Sequence, residues 1–353
     1  MKLQQLRADM ARRGLDGFLV TGAENRYYMS GFTGSSGLLL ITHDDALLIT
    51  DFRYKEQAAR QAEGYRVVVY EGQIFDAVGN VVRELGLGRL GFEAERTTYA
   101  SFEGLSRALD GVAELVPTRG AVEGLRMVKS PEELEIMAEA CRITDAAFDH
   151  ILGFVRPGVT EKEIATELKV FMLKHDMTPS FDFIVASGAR GSMPHGVASD
   201  KVVEKGDFVT LDFGGFYKRY SSDITRTVVV GKPTDEQRRI YDLVLRAQLA
   251  GVAAARAGKR GSEVDAVARE IINQAGHKEH FGHGLGHAIG LEVHENPRFS
   301  PTDSTVIQPG MVLSVEPGVY IPGWGGVRIE DLVVITDGDA RVMYSSTKEL
   351  IEL

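Results

Sequence analysis

The stretch Gly282-His283-Gly284-Leu285-Gly286-His287-Ala288-Ile289-Gly290-Leu291-Glu292-Val293-His294-Glu295 sets three imidazoles among glycines. Two acidic pairs lie on either side of it, Asp212 with Asp223 and Glu316 with Glu330. Each acid falls on or beside an apolar, strand-like run. One imidazole and four carboxylates form a ligand set for two hard-to-borderline divalent ions. A dinuclear metal-dependent hydrolase is the chemistry these residue types point to.

The surrounding runs indicate how such a site is positioned. Residues 208–213 and 224–230 flank a turn region, 214–222, which predicts a hairpin with Asp212 and Asp223 side by side on adjacent strands. Asp212 lies between Leu211 and Phe213. A carboxylate there needs a partner to offset desolvation, and two unpaired aspartates would raise each other's pKa. A bridging cation removes that conflict. Residues 311–316 and 327–334 repeat the pattern around Glu316 and Glu330. A weak internal repeat goes with it: Arg156-Pro157-Gly158 leads into a helix capped at Thr160, and Arg256-Ala257-Gly258 into one capped at Ser262. About fifty residues after each cap comes a strand bearing an acid, a turn and a second acid. Two similar halves meeting at a shared centre are expected, a pseudo-twofold arrangement.

The fold class is α/β (α+β). In residues 1–120, strands are expected at 17–20, 38–41, 46–49, 66–70 and 90–92, and amphipathic helices at 74–85 and 101–109. Gly31-Phe32-Thr33-Gly34 and Gly86-Leu87-Gly88 lack the strand-glycine-helix context of a phosphate cradle and read as turns. The boundary falls between Arg119 and Ser130, giving a catalytic domain over 121–353. There Ser130-Pro131-Glu132-Glu133 starts a helix whose apolar face carries Leu134, Met137, Cys141 and Phe148. Cys141 on that stripe reads as a small buried hydrophobe rather than a nucleophile.

Composition bounds the function further. The chain has 353 residues, 44% hydrophobic and 25% charged, which suits two domains with sizeable cores. Its net charge of -10 argues against nucleic-acid or membrane-surface partners. A single cysteine, no apolar signal core in residues 1–13 and no membrane-length apolar run make a cytoplasmic enzyme the expectation. His43, His150, His175, His277 and His280 have no acidic company and read as structural or solvated.

The residues 283–295 resemble the signature of the proline-specific metallopeptidases of the "pita-bread" family, which includes prolidase, aminopeptidase P and methionine aminopeptidase. The resemblance continues through Leu211-Asp212-Phe213-Gly214, Ser222-Asp223-Ile224-Thr225-Arg226-Thr227, Val315-Glu316-Pro317-Gly318 and Gly326-Val327-Arg328-Ile329-Glu330-Asp331. Asn25-Arg26-Tyr27-Tyr28-Met29-Ser30-Gly31-Phe32 and Thr50-Asp51-Phe52-Arg53-Tyr54 are similar to the N-terminal domains of creatinase and prolidase, so the likeness covers nearly the whole chain.

The resemblance implies a creatinase/prolidase-type N-terminal domain and a pita-bread catalytic domain. It implies Asp212, Asp223, His287, Glu316 and Glu330 as ligands of two divalent ions, with Asp223 and Glu330 bridging. Manganese is the expected metal, with cobalt, zinc or iron as alternatives. A metal-bridging hydroxide would be the nucleophile and Glu316 a proton shuttle. His195 and His294 would be catalytic and substrate-binding, His294 by stabilising the tetrahedral intermediate. His283 and Arg298 would contact substrate, Arg298 by meeting a terminal carboxylate, and Arg328, beside Glu330, would either support the metal ligands or contact substrate.

The expected activity is Xaa-Pro dipeptide hydrolysis, with an Xaa-Pro aminopeptidase acting on longer peptides as the alternative. A non-catalytic peptide-binding module on the same fold is the alternative of another class. Small proline-containing peptides are the expected partners, and a homodimer the expected assembly.

Overall fold

The computed structural model describes residues 1–353, which divide into two compact units, 1–126 and 127–353. The first unit is built on a six-stranded mixed sheet. In spatial order its strands are Arg66–Val69, Ala46–Thr50, Leu38–Thr42, Gly17–Val20, Arg89–Glu93 and Glu114–Thr118. The two antiparallel strands 38–42 and 46–50 are wholly buried, as their unbroken apolar sequences require. The sixth strand was not expected. It is an edge strand with only one pairing, half-exposed and containing Pro117, so its apolar signal is weak. The helix expected at 101–109 is Tyr99–Ala108 and starts two residues earlier, because the Thr98 hydroxyl caps it by accepting from Ser101 N at 3.2 Å. Gly31 ends a helix with φ 73° and Gly86 turns with φ 65°, conformations in which a Cβ is strained.

In the second unit an internal repeat is visible in three dimensions. A long helix (Pro131–Leu152) and a shorter one (Glu161–Lys174) precede an antiparallel sheet of strands Ile184–Ser187, Phe208–Phe213 and Ile224–Val229. A second long helix (Asp235–Ala254) and a second short one (Gly261–Gln274) precede Gly286–Ala288, Val312–Val315 and Asp331–Val334, paired in the same antiparallel order. The second short helix begins and ends 100 positions after the first. The two sheets abut where Glu330 N donates to Thr225 O at 3.0 Å.

Local expectations needed three corrections. The 261–274 helix is capped at Arg260 rather than Ser262. Glu263 still returns its carboxylate to Arg260 N at 2.7 Å, while Ser262 N is taken by Asp303 O at 2.8 Å. The run 327–334 is two strands, not one: Gly325–Arg328 pairs with Gly318–Ile321, the chain leaves the ladder at Ile329 and Glu330, and Asp331–Val334 joins the other sheet. Asp212 lies opposite Thr225 rather than Asp223. Because strand side chains alternate with period two, Asp223 shares the face of Thr225 and approaches Asp212 diagonally. The expected turn at 214–222 is itself a small hairpin, Gly215–Tyr217 with Tyr220–Ser221, turned through Lys218 and Arg219 at positive φ.

Candidate metal centre and substrate cavity

The sheet faces at the seam open into a cavity of about 580 Å³. All ten residues expected to bind metal or substrate line it, and none of the other five histidines does. Three of them converge most closely: one ligand atom each from Asp223, His287 and Glu330 lie within 4.8 Å of one another, all buried. Glu316 joins them through Oε1, 3.4 Å from His287 Nε2, and Asp223 Oδ2 lies 3.8 Å from the same nitrogen.

The ring of His287 is already set as a ligand. Its Nδ1 lies 3.1 Å from the carbonyl of Ala288, which can only accept, so Nδ1 carries the proton and the Nε2 lone pair faces the acids. Burial pushes its pKa down and keeps the imidazole neutral.

The carboxylates repel one another in a buried site. Burial, then Glu330 and Asp212, push the Asp223 pKa well up, and burial with Glu316 and Asp212 does the same to Glu330. Glu316 is raised as well, first by burial. Two buried oxygens, Asp223 Oδ1 and Glu330 Oε1, have no hydrogen-bond partner at all. Buried oxygens of that kind are rare unless an ion or a water completes them. Orphaned oxygens, mutual repulsion and a lone pair aimed at the same point all fit divalent cations.

A measurable pH dependence follows. Glu330 takes up a proton on folding because its folded pKa is raised, so its contribution is full below the ordinary carboxylate range and is lost as pH rises through the raised value. His283, His287 and His294, with lowered pKa values, work in the opposite direction below the ordinary histidine value. Comparing metal-free wild type with metal-free Glu330→Gln cancels the histidines. As pH rises above the ordinary carboxylate range the unfolding free energies should shift progressively in favour of the variant. A pH-independent difference would contradict the buried, proton-loaded carboxyl.

Polar groups not singled out in the sequence hold the acids in place. Thr225 Oγ1 donates to Glu330 Oε2 at 2.6 Å, and Ser314 Oγ donates to Glu316 Oε1 at 3.1 Å. Arg328, expected either to support the ligands or to touch substrate, is buried. Its guanidinium donates to Asp212, to Tyr320 Oη at 2.8 Å, to Pro194 O at 3.2 Å and to Thr225 Oγ1 at 3.2 Å. Those bonds make it a clamp across the two halves. Tyr320 passes the chain of bonds on, since its hydroxyl accepts from Arg328 and lies 2.9 Å from His283 Nε2, whose Nδ1 is bonded to Gly284 O. Burial pushes the Tyr320 hydroxyl up to about 12, so it stays a donor. The glycines of 318–326 were a usable signal for it: a Cβ on Gly318 would fall 2.3 Å from that hydroxyl.

The loops carrying His195 and His283 are each tied to a short helix. Buried Glu161 accepts from Ser187 N, Ser199 N and Arg190, which shapes the loop of His195. Asp265 accepts from Leu285 N at 2.9 Å and pairs with Arg269, which donates to His283 O at 2.7 Å. At the cavity mouth His294 lies 4.4 Å from His287, ring centre to ring centre, and burial together with His287 and Arg298 lowers it to about 4. Arg298 sits opposite His287 in the strand register, and its exposed guanidinium makes no bond to the protein.

Comparison with known proteins agrees with this architecture. Residues 135–337 match the model of metallopeptidase family M24, and residues 2–128 match the creatinase/prolidase N-terminal domain. The chain is 52% identical to a solved Xaa-Pro dipeptidase from Bacillus anthracis, with a TM-score of 0.98 covering 100% of this chain and 99% of that one. It is 38% identical to the Xaa-Pro dipeptidase of Pyrococcus furiosus, with 99% of each covered. An X-Pro aminopeptidase from Thermotoga maritima is 39% identical with a TM-score of 0.90, over 98% of this chain and 100% of that one. The chain belongs to the M24 metallopeptidases and joins a creatinase-type N-terminal domain to the catalytic domain of that family.

Proposed function

We propose that this metallopeptidase is an Xaa-Pro dipeptidase that works with two divalent ions, manganese in the first instance. The observation that carries the dipeptide reading is Arg298, an unpaired guanidinium opposite His287 at the mouth of the cavity. A planar fork suits a carboxylate, and in a dipeptide the proline carboxylate lies one residue from the scissile bond.

Asp212, Asp223, His287, Glu316 and Glu330 would hold the ions, an oxygen-rich set with one nitrogen that suits manganese. When bound, the pair supplies Lewis-acid polarisation of the scissile carbonyl and a water acidic enough to be the nucleophile near neutral pH. The remaining work falls to the chain. Glu316, its pKa raised by burial, accepts the proton of the attacking water and delivers it to the departing proline nitrogen. His294, neutral because its pKa is about 4, donates an N–H toward the developing oxyanion without adding positive charge beside the ions. His195 and His283 line the cavity where substrate would lie, and Arg328 keeps Asp212 in place. Proline has no N–H and a fixed ring, so holding the two ends and the carbonyl suits this substrate better than reliance on backbone pairing. The buried, lone Cys141 supports a reducing, cytoplasmic setting.

Hydrolysis of Ala-Pro and Ala-Pro-Ala, compared after chelator treatment and again with manganese restored, tests the reading. Metal-restored cleavage with preference for Ala-Pro is expected. Preference for Ala-Pro-Ala would make the enzyme an aminopeptidase like the Thermotoga relative, and cleavage of neither by a metal-loaded chain would overturn the proposal.

A further inference from the structure

Three of the four carboxylates at the metal centre are aimed by a hydrogen bond to one of their own oxygens: Asp212 by Arg328, Glu316 by Ser314 and Glu330 by Thr225. Asp223 is the exception. Its Oδ1 has no partner, and its Oδ2 has only the His287 ring at 3.8 Å. Its position must therefore come from its main chain. The sheet does not supply that support, because strand pairing with 208–213 begins at Ile224 and the small hairpin ends at Ser221. The buried peptide N–H and C=O of Asp223 need partners from elsewhere.

Both partners are one atom. Asp223 N donates to Tyr344 Oη at 3.0 Å, and the Tyr344 hydroxyl donates back to Asp223 O at 2.6 Å. Tyr344 is in turn fixed by one face of the helix Pro131–Leu152, on which positions three and four apart are neighbours. Cys141 contacts the Tyr344 hydroxyl. Thr144 Oγ1 is 2.7 Å from Ser222 Oγ, immediately before Asp223. Asp145 accepts from Ser345 N at 2.7 Å and Ser346 N at 3.0 Å, and from both hydroxyls. Beyond Tyr344 the chain continues as a strap along strand 224–229: Val229 N donates to Ile351 O and Leu353 N to Val229 O. The same strap is fastened by Tyr241, whose hydroxyl donates to Lys348 O at 2.9 Å, away from Asp223.

We propose that Tyr344 is the positioning residue for Asp223, and that the C-terminal strap is therefore part of the metal centre although it contributes no ligand. The proposal rests on the two-ion reading above. It predicts a specific defect in Tyr344→Phe, which keeps the ring and removes only the hydroxyl that holds the Asp223 peptide. Tyr241→Phe is the matched control, removing a hydroxyl that fastens the same strap at Lys348 without touching Asp223.

Calorimetric titration of chelator-treated full-length protein with manganese distinguishes the outcomes, with thermal unfolding run alongside. Wild type should take up two ions. Tyr344→Phe should bind at least one of them about 10- to 100-fold more weakly, the usual effect of losing a group that orients a ligand. Tyr241→Phe should unfold at a lower temperature yet bind manganese as wild type does. Unchanged affinity in Tyr344→Phe, or equal weakening in both variants, would overturn the positioning role while leaving the two-ion reading intact. A wild type that binds no manganese would overturn both. Should Tyr344→Phe fold poorly, Asp145→Asn, which loosens the segment carrying Tyr344 at Ser345 and Ser346, takes its place with the same expected sign, and a wild-type titration in that variant counts against the proposal.

Discussion

Glu330→Gln should lower turnover by about a thousandfold or more, a loss of about 4 kcal/mol of transition-state stabilisation. The amide keeps the shape of the carboxyl and can still accept from Thr225 Oγ1, which now bonds Glu330 at 2.6 Å. What it loses is the charge and the second acceptor that the orphaned Oε1 provides. A carboxylate proposed to bridge two ions should, when neutralised, leave one of them weakly held. Metal analysis of the dialysed variant should therefore give close to one manganese per chain against two for wild type. KM should change little, because neither Arg298 nor His195 bonds to Glu330. Retention of both ions with wild-type turnover would sink the bridging assignment.

The largest effect on stability is expected at Arg226, which supplies no proposed ligand. This side chain is 1% exposed, and its N–H groups are directed to Thr225 O, Glu330 O, Ser346 O, Thr347 O and Asp331 Oδ1. Asp331 is shared with Lys348 at 2.7 Å and Gln248 at 2.9 Å. Burial alone would raise the Asp331 pKa, but Arg226 and Lys348 hold it low, so it is a carboxylate. Truncating one partner of a buried pair leaves the other uncompensated, at about 3–5 kcal/mol. Urea unfolding of Arg226→Met should show a loss of that size, and Arg226→Lys should recover little because an ammonium cannot reproduce a planar five-donor fork. A loss below about 1 kcal/mol would mean that the two halves are held together elsewhere.

What was legible in the chain was whatever is local. The histidines among glycines, the capping boxes at Ser130 and Thr160 and the four acids beside apolar runs each announce themselves within a few residues. Groups that act across the molecule were not legible. Tyr344 reaches Asp223 over 121 positions and Arg328 reaches Asp212 over 116, distances at which periodicity carries no information. The break in the run 327–334 was hidden because Ile329 and Glu330 continue an alternation that suits one long strand, while the fold needs them at a seam between sheets. The helix Pro131–Leu152 shows the same limit. Its buried face includes Thr144 and Asp145, which a hydrophobic stripe cannot reveal because their partners come from the hairpin and the C-terminal segment.

The repeated halves have one asymmetry. Both proposed carboxylate ligands of the first half are aspartates and both of the second are glutamates, so the halves extend carboxylate arms of unequal length toward one point. An extra methylene lengthens an arm by about 1.5 Å. The two halves therefore present unlike donor sets within a symmetrical frame. Two ions held there would have unlike surroundings, since the imidazole of His287 comes from the second half alone. Such unlike surroundings would suit the proposed reaction, in which one ion steadies the nucleophile and the other polarises the carbonyl, without any departure from the symmetry of the frame.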